Sequence, residues 1–314
     1  MPRERRRTPW GLVLLLLGYI LFAPVFVLGP LAGLLLVSRP ASLREVWWLA
    51  GAAAWLGVTL PMQGALPDQF ARSAGVLVAG AFVALVLASP GRWFPRAMGA
   101  IGLGGAALAL WAWQFGIGWS RLVASTAAEW REGVAVWSRL ARAGAQADGA
   151  EAAARAGQLL GDVETTMVAW APLYPALLAL IALGGLAVAW AWYHRIATRP
   201  LGEPLAPLAR FTFSDQFVWG AVAALALLVA PGLPVARDVG RNLLLVLTAL
   251  YAIRGLGVFA ALVRRVPGAV LFAGALAALF LFPFVATGLA IFGLADTWLD
   301  FRRRQAPPPS GAER

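Results

Sequence analysis

Long apolar stretches separated by short arginine-bearing segments organise this chain. Eight such stretches lie near 10–37, 45–62, 73–89, 98–119, 167–193, 217–231, 242–263 and 268–295. A helix needs about 20 apolar residues to cross the hydrocarbon, because its backbone amides must be satisfied internally. The third and sixth stretches are short for this, and the first and last are long. None alternates with the period of a barrel strand. The pattern predicts an all-α polytopic integral membrane helical bundle of about eight hydrophobic segments, the first and last broken or re-entrant.

The breaks are visible as Pro24, Gly29 and Pro30 in the first stretch and as Pro283 and Gly288 in the last. Proline removes a helical hydrogen bond and kinks or ends the helix. The placement of arginine favours such breaks. Eight simple crossings divide the loop arginines almost evenly between the two sides. Folding the first and last stretches back on themselves gathers most of them on one side, as the positive-inside rule requires. Each stretch is too short for two full crossings, so the second leg must be short and covered by neighbouring helices. Both arrangements put the two termini in the cytoplasm and the chain in a bacterial inner membrane. They differ over the side of segment 120–166, which the broken arrangement places outside. Met1 to Arg7 resemble the start of a signal peptide, but the apolar run that follows is too long for one and reads as an uncleaved span.

Composition agrees. Apolar types make up 61% of the 314 residues and charged types 13%, half the usual charged share. Mean hydropathy is +0.74. All 26 basic residues are arginine. The net charge of +11 fits arginines beside anionic lipid and calls for no nucleic acid. The expected partners are the lipid bilayer and other membrane or cytoplasmic proteins. Ten tryptophans fall near span ends: Trp10, Trp47, Trp48, Trp93, Trp111, Trp119, Trp170, Trp190, Trp192 and Trp298. They read as interface anchors.

No cysteine and a single histidine exclude thiolate chemistry, Cys-ligated metals and most histidine-centred catalysis. No hydrolase, phosphate-loop, zinc-protease or dinucleotide motif is present. The expectation is a protein with no catalytic residues, no metal and no cofactor, and therefore not an enzyme. His194 sits at a span end beside Arg195 and reads as solvated or interfacial.

Segment 120–166 is the one sizeable polar piece. On a helical wheel Val123, Trp130, Val134 and Trp137 share a narrow arc, with Arg121, Arg131, Arg139 and Arg142 opposite. This predicts an interfacial helix presenting Trp130, Val134 and Trp137. Asp148 and Glu151 have the spacing of a capping box for a second helix.

One charge stands inside a span. Arg254, in Tyr251-Ala-Ile-Arg-Gly-Leu-Gly257, costs about 2.5–3.5 kcal/mol at mid-helix on insertion scales. Three readings stand: a structural pairing, an anionic ligand or headgroup, and a snorkelling side chain. Gly255 and Gly257 would let another helix approach closely. Asp296 is the acidic candidate. A straight last helix sets it about 27 Å along the axis from Arg254, and a turn back near Pro283 brings it to roughly 10 Å. Asp215, before the apolar run from Phe217, reads as an N-cap.

The carboxy-terminal third carries Phe211-Thr-Phe-Ser-Asp215, Asn242-Leu-Leu-Leu, Leu250-Tyr-Ala-Ile-Arg-Gly255 and Gly293-Leu-Ala-Asp-Thr-Trp-Leu-Asp-Phe-Arg302. Over about 205–304 it resembles the YybS-type family of predicted bacterial membrane proteins, a domain of unknown function. That family usually has an uncharged polar residue where Arg254 stands. By the match, Asp215, Gly255, Gly293, Asp296, Asp300 and Arg302 are the family-like positions. The family in turn is distantly similar to the substrate-binding subunits of energy-coupling-factor transporters. That link is a fold-level analogy. The candidate ligand or polar-pocket residues are Arg254, Asp296 and Asn242.

The resulting organisation is a basic cytoplasmic N-terminus (1–9), N-terminal membrane helices (10–119), the amphipathic segment (120–166), C-terminal YybS-like membrane helices (167–301) and a basic, Pro-rich disordered tail (302–314). The expected function is a non-enzymatic, small-solute-binding or transport-associated membrane module. The alternative is a structural or scaffolding membrane protein in envelope assembly.

Overall fold

The computed structural model describes residues 24–59, 64–89, 91–146, 149–263, 268–299 and 301. Among these the secondary structure is helical and no strand occurs. The chain divides into two compact units, Met1–Leu205 and Ala206–Arg314. That boundary coincides with the start of the carboxy-terminal motif region. The sequence reading instead grouped 167–193 with the helices after it. The helix found there packs on α1, α3 and α4 of the first unit, because its small residues admit them.

In the first unit α1 is Pro24–Val37, α2 Leu43–Thr59, α3 Leu66–Ala88 and α4 Trp93–Gln114. Next come α5, Trp119–Gln146, α6, Ala150–Ala169, and α7, Tyr174–Ile196, which a short 3-10 turn at Ala171–Leu173 precedes. Helix α1 is apolar on all sides and largely buried, as such a helix should be. Phe26, Val27, Leu31, Leu34 and Leu35 have essentially no exposure. It runs through Gly29 and Pro30, so these two predicted breakers do not interrupt it. The part of the first stretch before Pro24 lies outside the described residues. A Cβ at Gly185 of α7 would stand 2.7 Å from Phe26 Cβ and 2.8 Å from its carbonyl. Glycine is what lets α1 and α7 touch at the centre of the unit.

Local signals set the ends. Arg39 closes α1 in the left-handed region (φ 56°), ahead of Pro40, a common helix stop. Ser42-Leu-Arg-Glu45 opens α2 as a capping box. The Glu45 amide donates to Ser42 Oγ (3.4 Å), and Glu45 Oε2 accepts from the Ser42 amide (2.9 Å). Proline stands in the first turn of α3 and α7, where its missing N–H costs nothing.

Helices α5 and α6 pack on each other. Leu122, Thr126, Ala127 and Val134 of α5 are buried. Of the three residues predicted for an interfacial face, Val134 is buried, Trp130 is half-buried against Tyr174 (6.4 Å between rings) and Trp137 is 69% exposed. The predicted single face is therefore split, since α6 and the body of the unit cover part of it. Asp148 lies outside the described residues, and α6 begins after Gly149 without a side-chain cap.

The second unit holds α8, Phe217–Val229, α9, Pro234–Leu262, α10, Gly268–Phe280, and α11, Phe282–Leu299. Helix α9 packs on α8 and α11. The last apolar stretch does not turn back. Leu281 N donates to Ala277 O (3.1 Å) and Val285 N to Leu281 O (3.0 Å), so helical bonding flanks the break. The missing N–H of Pro283 bends the helix instead of ending it.

Among the described residues five helices are long and apolar enough to cross a membrane: Leu66–Ala88, Trp93–Gln114, Ala171–Ile196, Pro234–Leu262 and Phe282–Leu299. Pro24–Val37 and Phe217–Val229 are apolar but shorter. At 1.5 Å per residue the latter spans about 20 Å, less than the hydrocarbon thickness. The expected count of about eight hydrophobic segments is not confirmed: among the described residues five helices qualify, and Pro24–Val37 and Phe217–Val229 fall short in length.

Candidate functional site

The second unit gathers the sequence-predicted charges around Arg254. Its Nε donates to Asp296 Oδ2 (3.1 Å) and its Nη1 to Asp215 Oδ1 (3.0 Å). The Arg254 side chain is 7% exposed, that of Asp296 3% and that of Asp215 66%. The Phe213 ring lies 5.4 Å from the guanidinium carbon, within cation–π range. Phe213 in turn packs on Tyr251 (5.2 Å) and Phe217 (5.3 Å).

The approach of Arg254 to Asp296 rests on two glycines. A Cβ at Gly255 would stand 2.0 Å from Leu289 O, and one at Gly293 would stand 1.9 Å from Tyr251 O. Helices α9 and α11 therefore cross backbone to backbone, the close packing that small residues permit. Neither sequence-based separation of Arg254 from Asp296 describes this arrangement. Both assumed that the last stretch leaves α9 directly and packs along it, whereas α11, beyond the bend, makes the crossing.

Two assignments change. Asp215 is not a cap: α8 has no side-chain cap. The Phe217, Val218 and Trp219 amides turn to the backbone carbonyls of Ser214, Asp215 and Gln216, which leaves the Asp215 carboxylate for Arg254. Asn242 does not join the cluster. It lies twelve residues before Arg254 on the same helix, about 18 Å along the axis, and its amide nitrogen donates to Asp238 O (2.9 Å). Asp300 and Arg302 lie outside the described residues. Arg254 is thus held between two carboxylates and an aromatic ring.

The first unit contains a cavity of about 500 Å³ between α1, α3, α4, α5 and α7. Phe26, Phe70, Trp113, Trp119 and Leu122 supply bulk to its wall; Gly105, Ala109, Ala112, Ala179 and Ala182 leave the space. Its lining is overwhelmingly apolar, and it is partly open. At its edge Tyr174 donates its hydroxyl to Pro67 O (2.5 Å). Nearby, Glu129 Oε2 is buried without a hydrogen-bond partner. Burial, then the charges of Asp68 and Glu132, push the Glu129 carboxyl above its ordinary range. A volume of this size suits one small organic molecule, and the wall chemistry selects an apolar one. Among the described residues no cluster of His, Cys, Asp and Glu could hold a metal.

Sequence reasoning missed this cavity. Its signal was the spacing of Gly105, Ala109 and Ala112, which line one face of α4. Two other residues were misplaced. Trp190, assigned to the interface, has no exposure; it packs on Phe82 (5.7 Å) and donates Nε1–H to Glu203 O (2.9 Å). Glu45, which the sequence reading did not single out, is 3% exposed. Its Oε2 also accepts from the Ala41 amide (2.6 Å), and its Oε1 accepts from the Thr198 amide. His194 packs on Trp190 (4.7 Å) with Nε2 buried.

A family model described as a predicted membrane protein (DUF2232) matches residues 12–297. No curated protein and no solved structure matches the chain significantly.

Proposed function

From the premise that the chain belongs to the DUF2232 family of predicted membrane proteins, we propose that it is a non-enzymatic membrane module that holds a small, mostly apolar molecule in the cavity of its first unit. In this reading it hands that molecule to, or takes it from, other membrane or cytoplasmic proteins in transport. The protein resides in a bacterial inner membrane with both termini cytoplasmic, and the family is the YybS-type one whose motif the carboxy-terminal third resembles. The distant likeness of that type to energy-coupling-factor substrate-binding subunits agrees with a binding role. Arg254 serves as a structural tie.

The observation that carries the reading is the cavity of about 500 Å³ with apolar walls and Tyr174 at its edge. A partly open concavity of this volume with apolar walls has the size and chemistry of a small-molecule pocket. The test is native mass spectrometry of the protein purified from its own membranes, beside Ala109→Trp, whose indole fills the cavity. The reading expects a stoichiometric small apolar adduct on the wild type and its loss from the variant. Equal adducts on both, or none on either, would contradict it.

A scaffolding role is the second reading. Its support is the exposed apolar set Trp137, Leu140, Leu159 and Val163 on α5 and α6, a surface that a partner or lipid would cover. Ligand-free protein that co-purifies with a partner only while Trp137 and Leu140 are intact would favour it.

A further inference from the structure

At the amino end of α4, Arg96 is a buried cation without a counter-charge. It is 6% exposed. One guanidinium nitrogen, Nη2, donates to Ser89 O. Nε and Nη1 are buried and have no hydrogen-bond partner. No carboxylate among the described residues lies within 4.0 Å of it. Arginine cannot shed its proton to escape this position, and a lone buried charge costs several kcal/mol.

The backbone around it makes the same demand. Arg96 stands in the first turn of α4, whose N-cap, Arg92, supplies no side-chain acceptor and whose first turn has no acidic residue. The amino end of a helix of 22 residues carries a partial positive charge and free N–H groups. A cation is the unfavourable choice there unless an anion sits with it. The Trp93 indole N–H, one turn earlier, is also buried and unpartnered.

The opposite wall is fixed. Segment 197–205 is strapped down by three side chains: Glu45 takes the Thr198 amide, Tyr193 Oη takes the Leu201 amide (2.9 Å), and Trp190 gives its N–H to Glu203 O. Within that segment Gly202 adopts φ +74°, and a Cβ there would lie 3.5 Å from Arg96 Nη1 and 3.3 Å from the Trp190 ring. The straps thus hold a side-chain-free stretch of backbone against the unpaired guanidinium.

We propose that Arg96, with the amino end of α4 and the strapped 197–205 segment, forms a binding site for a phosphate-type anion. Two sources share that chemistry, an anionic lipid headgroup and a free phosphate. The site is distinct from the apolar cavity: the nearest wall residue on α4, Ile101, is five residues along the helix, about 7.5 Å, and neither Arg96 nor segment 197–205 lines that cavity.

The test uses the full chain and its thermal midpoint in two arms, inorganic phosphate against chloride in lipid-free detergent, and nanodiscs of phosphatidylglycerol against phosphatidylcholine. Wild type and Arg142→Gln, an exposed arginine on α5, are expected to gain stability from the anionic member of at least one arm. Arg96→Gln is expected to lose that gain. A gain in the nanodisc arm alone assigns the site to a lipid headgroup; a gain with inorganic phosphate assigns it to a free phosphate. If Arg96→Gln does not fold, Arg96→Lys, which keeps the charge but not the fork, is expected to need at least several-fold more anion for the same gain. Overturning results are a wild type indifferent to both probes, an Arg96 variant with an unchanged response, and a loss of response in Arg142→Gln equal to that in Arg96→Gln. Ala109→Trp is expected to leave the response intact, so failure of the cavity reading and failure of this one are separable.

Discussion

Replacing Gly293 by alanine adds one methyl group at the tightest point of the second unit. Its Cβ would meet Tyr251 O at 1.9 Å and Gly255 N at 2.6 Å, against 3.4 Å or more for an ordinary contact. Both obstacles are helix backbone and cannot rotate away, so α9 and α11 must separate by about 1.5 Å. Arg254 Nε and Asp296 Oδ2, now 3.1 Å apart, would then stand near 4.6 Å, too far for a hydrogen bond. Overpacking alone costs about 1–3 kcal/mol, and breaking a buried ion pair about 3–5 kcal/mol. The expected loss is therefore at least about 3 kcal/mol. Reversible unfolding in sodium dodecyl sulfate, followed by circular dichroism, measures it. Gly288→Ala on the same helix is the control, because a Cβ there has nothing within 4 Å, and alanine is the better helix former. In an Asp296→Asn background the cost of Gly293→Ala should shrink, since the ion pair is already gone. If Gly293→Ala is as stable as Gly288→Ala, the glycine crossing does not position the pair and the reasoning fails.

Three other outcomes follow from the same structure. Arg254→Leu strands Asp296, which is 4% exposed, and is expected to cost about 3–5 kcal/mol, whereas Arg254→Leu with Asp296→Leu should recover most of the loss; a double-mutant cycle without coupling would contradict the pairing. Glu45→Ala leaves the Ala41, Ser42 and Thr198 amides without their acceptor, so amide hydrogen exchange in segment 197–205 should be faster than in the wild type, and an unchanged rate would remove the strap. Because Glu129 has a raised pKa, the folded state resists its ionisation, and stability falls as pH rises from the ordinary carboxylate range through the raised value. Glu129→Gln should therefore melt higher than the wild type at pH 8 and equally at pH 4, and a gain independent of pH would refute this.

The sequence displays its helices plainly, because lipid imposes a length and a polarity on each one. It also names Arg254 and Asp296 as partners, since an intramembrane charge needs an opposite one. What it hides is tertiary. Whether the last stretch runs straight, folds back or bends depends on how one proline is accommodated, and so the Arg254–Asp296 distance could not be read from residue spacing. Asp215 looks like a cap because its neighbours look like a helix start; only the fold places Arg254 beside it. Trp190 and Arg96 carry the marks of a membrane boundary, an indole and a guanidinium near span ends. Their burial comes from segment 197–205, whose attachment to Glu45 joins residues 153 positions apart. The Ser42–Glu45 half of that attachment was legible as a capping box. The cavity is an absence of side chains, and small residues on a helix face read equally well as close packing.

Uptake of a fluorescent medium-chain acyl probe by the detergent-purified full chain tests the central claim most directly. The account predicts a saturable isotherm with one site per chain, abolished in Ala109→Trp and unchanged in Arg254→Leu corrected for folded fraction. A linear, non-saturating partition that is identical in wild type and Ala109→Trp would contradict it.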